Sequence, residues 1–339
     1  MKISKYSMIL PLMMATSAFA LPNLNIYATG GTIAGTSASN TDTTRYSVAK
    51  LNVDKLIEGV PELKTIANVK GYQVASVDSN DMSNEILLKL AKQLNSDLAG
   101  DTAGAVITHG TDTLEETAFF LSLTTKPTKP IVLVGSMRPS TSLSADGYMN
   151  LLQSASVATH ADAKNRGVMV VMNDRIGSGY YITKTNANTP DTFKSVEAGG
   201  YGQMIGLTPK FYYAPQVITN KSSFDVSKFD SLPKVEIIYG YQSTDTSQLD
   251  SAIANGAKGV VIAGTGAGSL SVPMIARVKE LTAKGFPIVR STRVENGYVD
   301  VPEDEGISSG FLNPQKSRVL LTLALVNKDG LPTIRQRFK

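Results

Sequence analysis

Short apolar runs alternate along this chain with longer stretches in which apolar residues recur every third or fourth position. The runs LNIYATG (24–30), VASVDS (74–79), GAVITHG (104–110), PIVLVGSM (130–137) and GVMVVMND (167–174) are rich in aliphatic and β-branched residues and predict strands. EILLKLAKQLNSDLAG (85–100) carries Ile86, Leu90, Leu94 and Leu98 four apart and ends at Gly100, so it predicts an amphipathic helix. DTLEETAFFLSL (112–123) and the stretch at about 146–159 predict two more. Strands that alternate with helices argue for a parallel sheet with helices on both faces.

Around 208–233 the rhythm stops. TPKFYYAPQVITNKSSFDVSKFDSLPK is polar, holds three prolines and has no sustained period, so it reads as a linker. The rhythm resumes in KVEIIYGY (234–241), KGVVIAGTG (258–266), a helix over 271–285, PIVRST (287–292) and a closing amphipathic helix over 314–326. The expected organisation is a larger α/β domain over 21–211, a linker over 212–232 and a smaller α/β domain over 233–339.

The first twenty residues stand outside this scheme. Lys2 and Lys5 precede an apolar run that closes on Ala18-Phe19-Ala20, the arrangement of a secretory signal peptide, and the run is too short for a membrane span. The expectation is cleavage after Ala20, a mature start at Leu21 and a periplasmic home. Setting that segment aside leaves 31 Lys+Arg against 29 Asp+Glu, too even a balance, with no basic stripe, to argue for nucleic acid. The chain has no cysteine, which excludes disulfides, thiolate nucleophiles and cysteine metal sites. No metal or cofactor is expected, and no membrane contact after the leader is removed.

Ligands of open parallel sheets bind beyond the C-terminal ends of the strands. The polar residues there are Thr32 after two glycines, Ser79-Asn80-Asp81, Thr111-Asp112 and, in the smaller domain, Ser269. Each has a plain alternative: glycines make turns, and Asp112 with Glu115 three residues on fits a capping box. Three such strand ends together favour chemistry. A threonine nucleophile needs a proton acceptor. The chain has two histidines; His109 lies within an apolar run and reads as a core residue, and His160 closes a helix. A lysine made neutral by burial or by neighbouring cations can serve instead, and Lys184 in YITKTNAN is one candidate, although spacing alone does not select it among the chain's lysines. GTGAGS (264–269) is an incomplete dinucleotide fingerprint, with Ser269 where the last glycine belongs. A periplasmic solute-binding protein would share the two α/β domains and the leader but would need no reactive threonine.

ATGGTIAG (28–35) and VITHGTDTLEETAFF (106–120) resemble the two signature stretches of bacterial L-asparaginases and glutaminase-asparaginases. VGSMRPSTSLSADGYMNL, TKTNA, TFKSVEAGGYG and RVENG through LNPQK are similar to the same family in order, from about Leu21 to the C-terminus. The leader points to the exported type II group. The resemblance implies an α/β fold with a flavodoxin-like, mostly parallel N-terminal sheet and a smaller C-terminal α/β domain. It implies hydrolysis of L-asparagine, with L-glutamine as a side substrate, through an acyl ester on Thr32. By the same resemblance Tyr46 on a mobile lid assists Thr32. Thr111, Asp112 and Lys184 form a second group, in which Lys184 polarises Thr111 or a water. Ser79 binds the substrate α-carboxylate, and Asp112 helps hold the α-amino group. A homotetramer is implied, in which Ser269 and Glu303 serve a neighbouring subunit's site; Asp304 and Glu305 are alternatives to Glu303. Asn80 stands where most relatives carry glutamine and is expected to bind the substrate at the α-amino group, with one methylene less to grip it.

Overall fold

A computed structural model describes residues 20–44, 47–126, 128–219 and 221–339. The leader up to residue 19 and Tyr46 lie outside these described residues. In chain order the elements are β1 (Asn23–Gly30), α1 (Val53–Glu58), α2 (Leu63–Ile66), β2 (Asn68–Val77), α3 (Asn84–Asp97), β3 (Gly104–Thr108), α4 (Leu114–Thr124), β4 (Ile131–Val134), α5 (Gly147–Thr159), β5 (Val168–Met172), β6 (Arg175–Ser178), the ribbon strands β7 (Thr183–Lys184) and β8 (Phe193–Lys194), β9 (Gly202–Ile205) and β10 (Thr208–Phe211). The second domain follows with β11 (Val235–Tyr239), α6 (Ser247–Ala254), β12 (Gly259–Gly264), α7 (Val272–Ala283), β13 (Ile288–Thr292), β14 (Ile307–Ser308), α8 (Pro314–Val326) and α9 (Leu331–Arg337).

The large sheet runs in the order β10-β9-β6-β5-β4-β3-β1-β2. From β2 to β5 all pairs are parallel, which is the flavodoxin-like winding; β6, β9 and β10 extend it antiparallel. Alternation along each inner strand divides the core. Tyr27, Ile107, Leu133 and Val170 face α3 and α4, whereas Ile26, Val106, Val132 and Val171 face α1, α2 and α5. The small sheet, β11-β12-β13-β14, is parallel throughout. Its Val260, Ile262 and Ile288 pack under α6 and α7; Val261, Val289 and Ile307 face α8.

Helix α8 joins the domains. Asn313 caps it by accepting the Lys316 N–H, and Pro314 supplies a preset first turn. One side of α8 packs on β11, β12 and β13, and it also packs on α4 of the large domain. Leu320, Leu321, Leu323 and Ala324 therefore belong to the same apolar cluster as Phe119 and Leu123 of α4. The core on this side is continuous through both domains.

The structure moves several expected boundaries. β2 starts at Asn68, six residues ahead of the apolar run, because it is an edge strand with only partial burial and so shows no continuous apolar signal. β10 lies at the opposite edge, inside a stretch that reads as patternless. Between β10 and β11 the chain is irregular apart from a 3-10 turn at Val226–Lys228, yet it is docked. Phe224, Val226 and Phe229 are buried, and the Phe224 N–H donates to the Leu123 carbonyl at 2.9 Å.

Leu321 is fully buried, and its side chain packs over Gly259 of β12. Leu321→Ala should destabilise the protein by about 2–5 kcal/mol, the usual range for a core leucine truncation. Because the core is continuous, calorimetry and circular dichroism should still report one coincident unfolding transition; two resolved transitions would show that the domains unfold separately.

Candidate active site

In the strand order β2-β1-β3-β4-β5 the chain reverses its winding between β1 and β3, the switch point beyond whose strand ends ligands of such sheets bind. Glycines let these ends meet backbone to backbone. Gly30 has φ +116, and a Cβ on it would lie 2.3 Å from the Val77 carbonyl oxygen at the end of β2. Gly31 has φ +80, and its Cβ would lie 2.3 Å from Gly110 Cα and N, beyond β3. A Cβ on Gly110 would in turn lie 2.8 Å from Ser79 Oγ. Neighbouring backbone therefore fills the space beside the two glycines before Thr32, which serve the close approach of the strand ends.

This contact sets Thr32, Ser79 and Thr111 on the ends of β1, β2 and β3. Thr32 opens a 3-10 turn, Thr32–Ala34, and is buried. Ser79 opens another, Ser79–Asp81; its hydroxyl is buried and makes no hydrogen bond among the described residues. The Ser79 carbonyl accepts from Thr113 Oγ1 at 2.7 Å, which ties the β2 end to the start of α4. After Thr32, the chain crosses itself through a Thr36–Ser47 bridge, with Tyr46 in the intervening segment but outside the described residues.

Lys184, on the ribbon beside this edge, donates from Nζ to Thr111 Oγ1 at 2.9 Å and to Asp112 Oδ1 at 2.5 Å. The Lys184 side chain is 15% exposed and the Asp112 side chain 57%, so the lysine is largely covered while the carboxylate faces outward. Asp112 does not cap α4: the cap position is Thr113, without a side-chain cap bond. Nor is Glu115 a capping partner. It is 3% exposed, and its carboxylate accepts from the Lys184 backbone N–H at 2.6 Å, from Gln315 Nε2 at 2.6 Å and from Asn313 Nδ2 at 2.9 Å. Sequence reasoning missed Glu115 as part of this network. The available signal was its company: every residue of α4 except Glu116 is buried, so Glu115 in its first turn needs dedicated partners.

His109 is fully buried, as expected, and its ring bonds Gly110 O at 2.7 Å and Thr117 Oγ1 at 2.9 Å. Burial pushes its pKa down to about 4, so at neutral pH Nδ1–H donates to Gly110 O and Nε2 accepts from Thr117. It thereby braces the turn that carries Thr111. Lys316 on α8 is also enclosed, donating to the Ile182 carbonyl at 2.6 Å; burial lowers it to about 8, against a smaller pull from Glu115.

Other expected residues stand apart. Asn80 is exposed, and its amide turns to Asp78 Oδ1 at 3.4 Å. Ser269 closes a tight turn with Thr265 through paired backbone bonds of 2.7 and 3.0 Å. That turn accounts for the glycines of GTGAGS: Gly266 and Gly268 have positive φ, and their carbonyls accept from Thr292 and from Arg290. The buried Arg290 also pairs with Glu305 at 2.7 Å, so one guanidinium joins the Ser269 turn to the 303–305 turn. Lys279 takes Asp304 at 2.8 Å. Of the three neighbouring carboxylates only that of Glu303 makes no hydrogen bond or ion pair among the described residues; its backbone carbonyl accepts from Arg335. No group of three or more His, Cys, Asp or Glu among the described residues is placed to hold a metal ion.

Residues 23–217 match the family described as asparaginase, N-terminal, and residues 234–338 match the glutaminase/asparaginase C-terminal domain. The chain is 50% identical to L-asparaginase 2 of Bacillus subtilis over 94% of its own length and 86% of the relative's. It is 43% identical to a probable periplasmic L-asparaginase of Haemophilus influenzae, over 95% of its length and 94% of the relative's. A crystal structure of a probable cytoplasmic L-asparaginase from Campylobacter jejuni superposes with a TM-score of 0.89 at 43% identity, covering 94% of this chain and 99% of that one.

His109 makes acid stability a test of the packing beneath the site. Its pKa is about 4 when folded against 6.5 for the free side chain, so below pH 6.5 the unfolded chain takes up a proton that the native one refuses. Stability from this group is intact above pH 6.5 and is lost as pH falls towards 4, by about 3 kcal/mol. His109→Gln should flatten the fall in urea unfolding free energy across that window; an unchanged slope would mean that the imidazole titrates normally.

Proposed function

This chain belongs to the asparaginase family, and from that premise we propose that it hydrolyses L-asparagine to L-aspartate and ammonia through an ester on Thr32. The family and fold make the chain an L-asparaginase-type amidohydrolase; the mechanism is our reading of the site. Thr32 Oγ1 attacks the side-chain amide carbon. Its proton leaves towards the Tyr46 hydroxyl and on to the amide nitrogen, which departs as ammonia, and water then cleaves the ester to release aspartate. Thr111 with Lys184 orients and polarises the attacking group or water, and the Asp112 carboxylate meets the substrate α-ammonium.

One observation carries this reading: Lys184 Nζ lies 2.9 Å from Thr111 Oγ1, on the strand end whose backbone abuts the turn carrying Thr32. The partnerless hydroxyl of Ser79 supports it further. A buried hydroxyl left unbonded costs about 1–3 kcal/mol, which a substrate α-carboxylate would offset. The first-turn N–H groups of α4 favour an anion at the same edge.

The second carboxylate that a zwitterion requires comes, in our reading, from another copy of the chain. Glu303 is the acidic residue of its turn not spent on an internal pair, and Arg290 holds that turn beside Ser269. Tyr298 and Phe311 meet edge to face with centroids 4.8 Å apart while both stay more than half exposed, an apolar surface suited to self-association. We read the assembly as a homotetramer with sites shared between subunits. Among the described residues no helix is long and apolar enough to cross a membrane. Export to the periplasm is our reading of the leader, and it agrees with the name of the Haemophilus influenzae relative.

Thr32→Ala should fold and lose at least a thousand-fold in kcat for ammonia release, in line with loss of a covalent nucleophile; retention of a tenth of the activity would exclude the ester. Co-expressing Thr32→Ala with Glu303→Gln should recover activity that neither variant has alone, because mixed assemblies contain sites with both native contributions. No recovery would mean that Glu303 serves its own subunit. Side-by-side kcat/KM for asparagine and glutamine measures the expected side activity.

A further inference from the structure

Lys184 is held at both ends by one short stretch of chain. Its ammonium is gripped by Thr111 and Asp112, immediately ahead of α4. Its backbone N–H is gripped by Glu115, in the first turn of α4. A lysine has four rotatable bonds, so fixing its head alone leaves its root free to drift with the two-residue strand β7. That strand pairs only with β8, an equally short partner outside the large sheet. Thr185 and Asn186 extend the ribbon by bonding Thr192, but these bonds tie Lys184 to β8 and its turn and not to the large sheet that carries Thr111.

Glu115 supplies that reference from the large domain and is itself fixed from the small one. One carboxylate oxygen accepts from Lys184, and the other accepts from Gln315 and Asn313 at the start of α8. Thr183, the residue before the lysine, adds a long bond of 3.5 Å to that second oxygen and accepts from Asn313 at 3.2 Å. We propose that Glu115 is a positioning residue: it anchors the root of Lys184, and Gln315 and Asn313 make the small domain of the same chain responsible for the aim of that lysine towards Thr111. The catalytic consequence rests on the function proposed above; the clamp itself does not.

The test uses Glu115→Gln and Gln315→Leu in the full-length protein, with two readouts. The first is lysine labelling without substrate: limited acetylation followed by peptide mass spectrometry, with exposed lysines as internal standards. Releasing the clamp should speed modification of Lys184 several-fold in Glu115→Gln and less in Gln315→Leu, where Asn313 still holds the carboxylate. The second is the split between kcat and KM for asparagine. A misaimed lysine should lower kcat by about a hundred-fold in Glu115→Gln and about ten-fold in Gln315→Leu, with KM changed little, because alignment is lost while the substrate's charged groups keep their partners. Unchanged Lys184 labelling in a folded Glu115→Gln protein, or wild-type kcat with altered labelling, would overturn the proposal. Should Glu115→Gln fail to fold, Gln315→Leu carries the same two outcomes. A wild-type protein that releases no ammonia from asparagine would refute the function, and the labelling would still decide the clamp.

Discussion

The site depends on a contact between glycines. Gly31 beyond β1 and Gly110 beyond β3 touch backbone to backbone, and Gly30 closes on Val77 of β2 in the same way. Side chains at these positions would hold the strand ends apart, since parallel strands themselves separate at about 4.8 Å and their following turns normally diverge. With the gap closed, three hydroxyl-bearing residues from sequence-distant loops lie on neighbouring strand ends. The positive φ of Gly30 and Gly31 is the backbone cost of that arrangement, and only glycine meets it without strain.

Around this contact polar and charged groups form a chain of partners that runs from the exposed Asp112 to the buried Glu115. Asp112 and Thr111 hold Lys184, Glu115 holds its backbone, and Gln315 and Asn313 hold Glu115. Beneath the same edge, Lys316 is enclosed with a carbonyl as its hydrogen-bond acceptor, and His109 is kept neutral between Gly110 and Thr117. Such groups add little net stability, because desolvation offsets most of the attraction. What they provide is a unique geometry: a carboxylate with every oxygen assigned cannot tolerate a shift of α4 against α8. The interdomain packing and the site geometry are thus one constraint, expressed in apolar contacts on one side of α8 and in hydrogen bonds at its N-terminus. Arg290 plays a comparable part in the small domain, where it fixes the Ser269 turn against the turn that presents Glu303.

How much of this was legible in the chain varies with the kind of signal. The inner strands β1, β3, β4 and β5 are buried on both faces, so they read as apolar runs. Helix α3 carries a clear stripe but stops at Asp97, three residues before Gly100. Helix α8 has the expected bounds and is buried around most of its circumference between the small sheet and α4, not amphipathic as its sequence reads. The edge strands β2 and β10 were missed in part or whole, since a half-exposed strand has no continuous run. Among site residues, Thr32, Ser79, Thr111 and Asp112 were visible because they follow strands, where a polar residue needs a reason. Lys184 was one lysine among many until its ammonium was seen on Thr111. Glu115 was read as the partner of a cap that does not form.

The sequence by itself determined the alternation of strand and helix, the family, the absence of thiol chemistry and the list of polar residues at strand ends. Those properties are local: they depend on periodicity, residue type and position after an apolar run. Only the tertiary structure decided which of those residues meet, that the glycines serve strand closure, and that Glu115 faces Lys184 instead of its own helix end. It also decided which acid of the 303–305 turn stays unpaired. Those facts depend on contacts between residues far apart in the chain, such as the 200 positions that separate Glu115 from Gln315. Such contacts follow from how sheets and helices pack, and no local pattern encodes them.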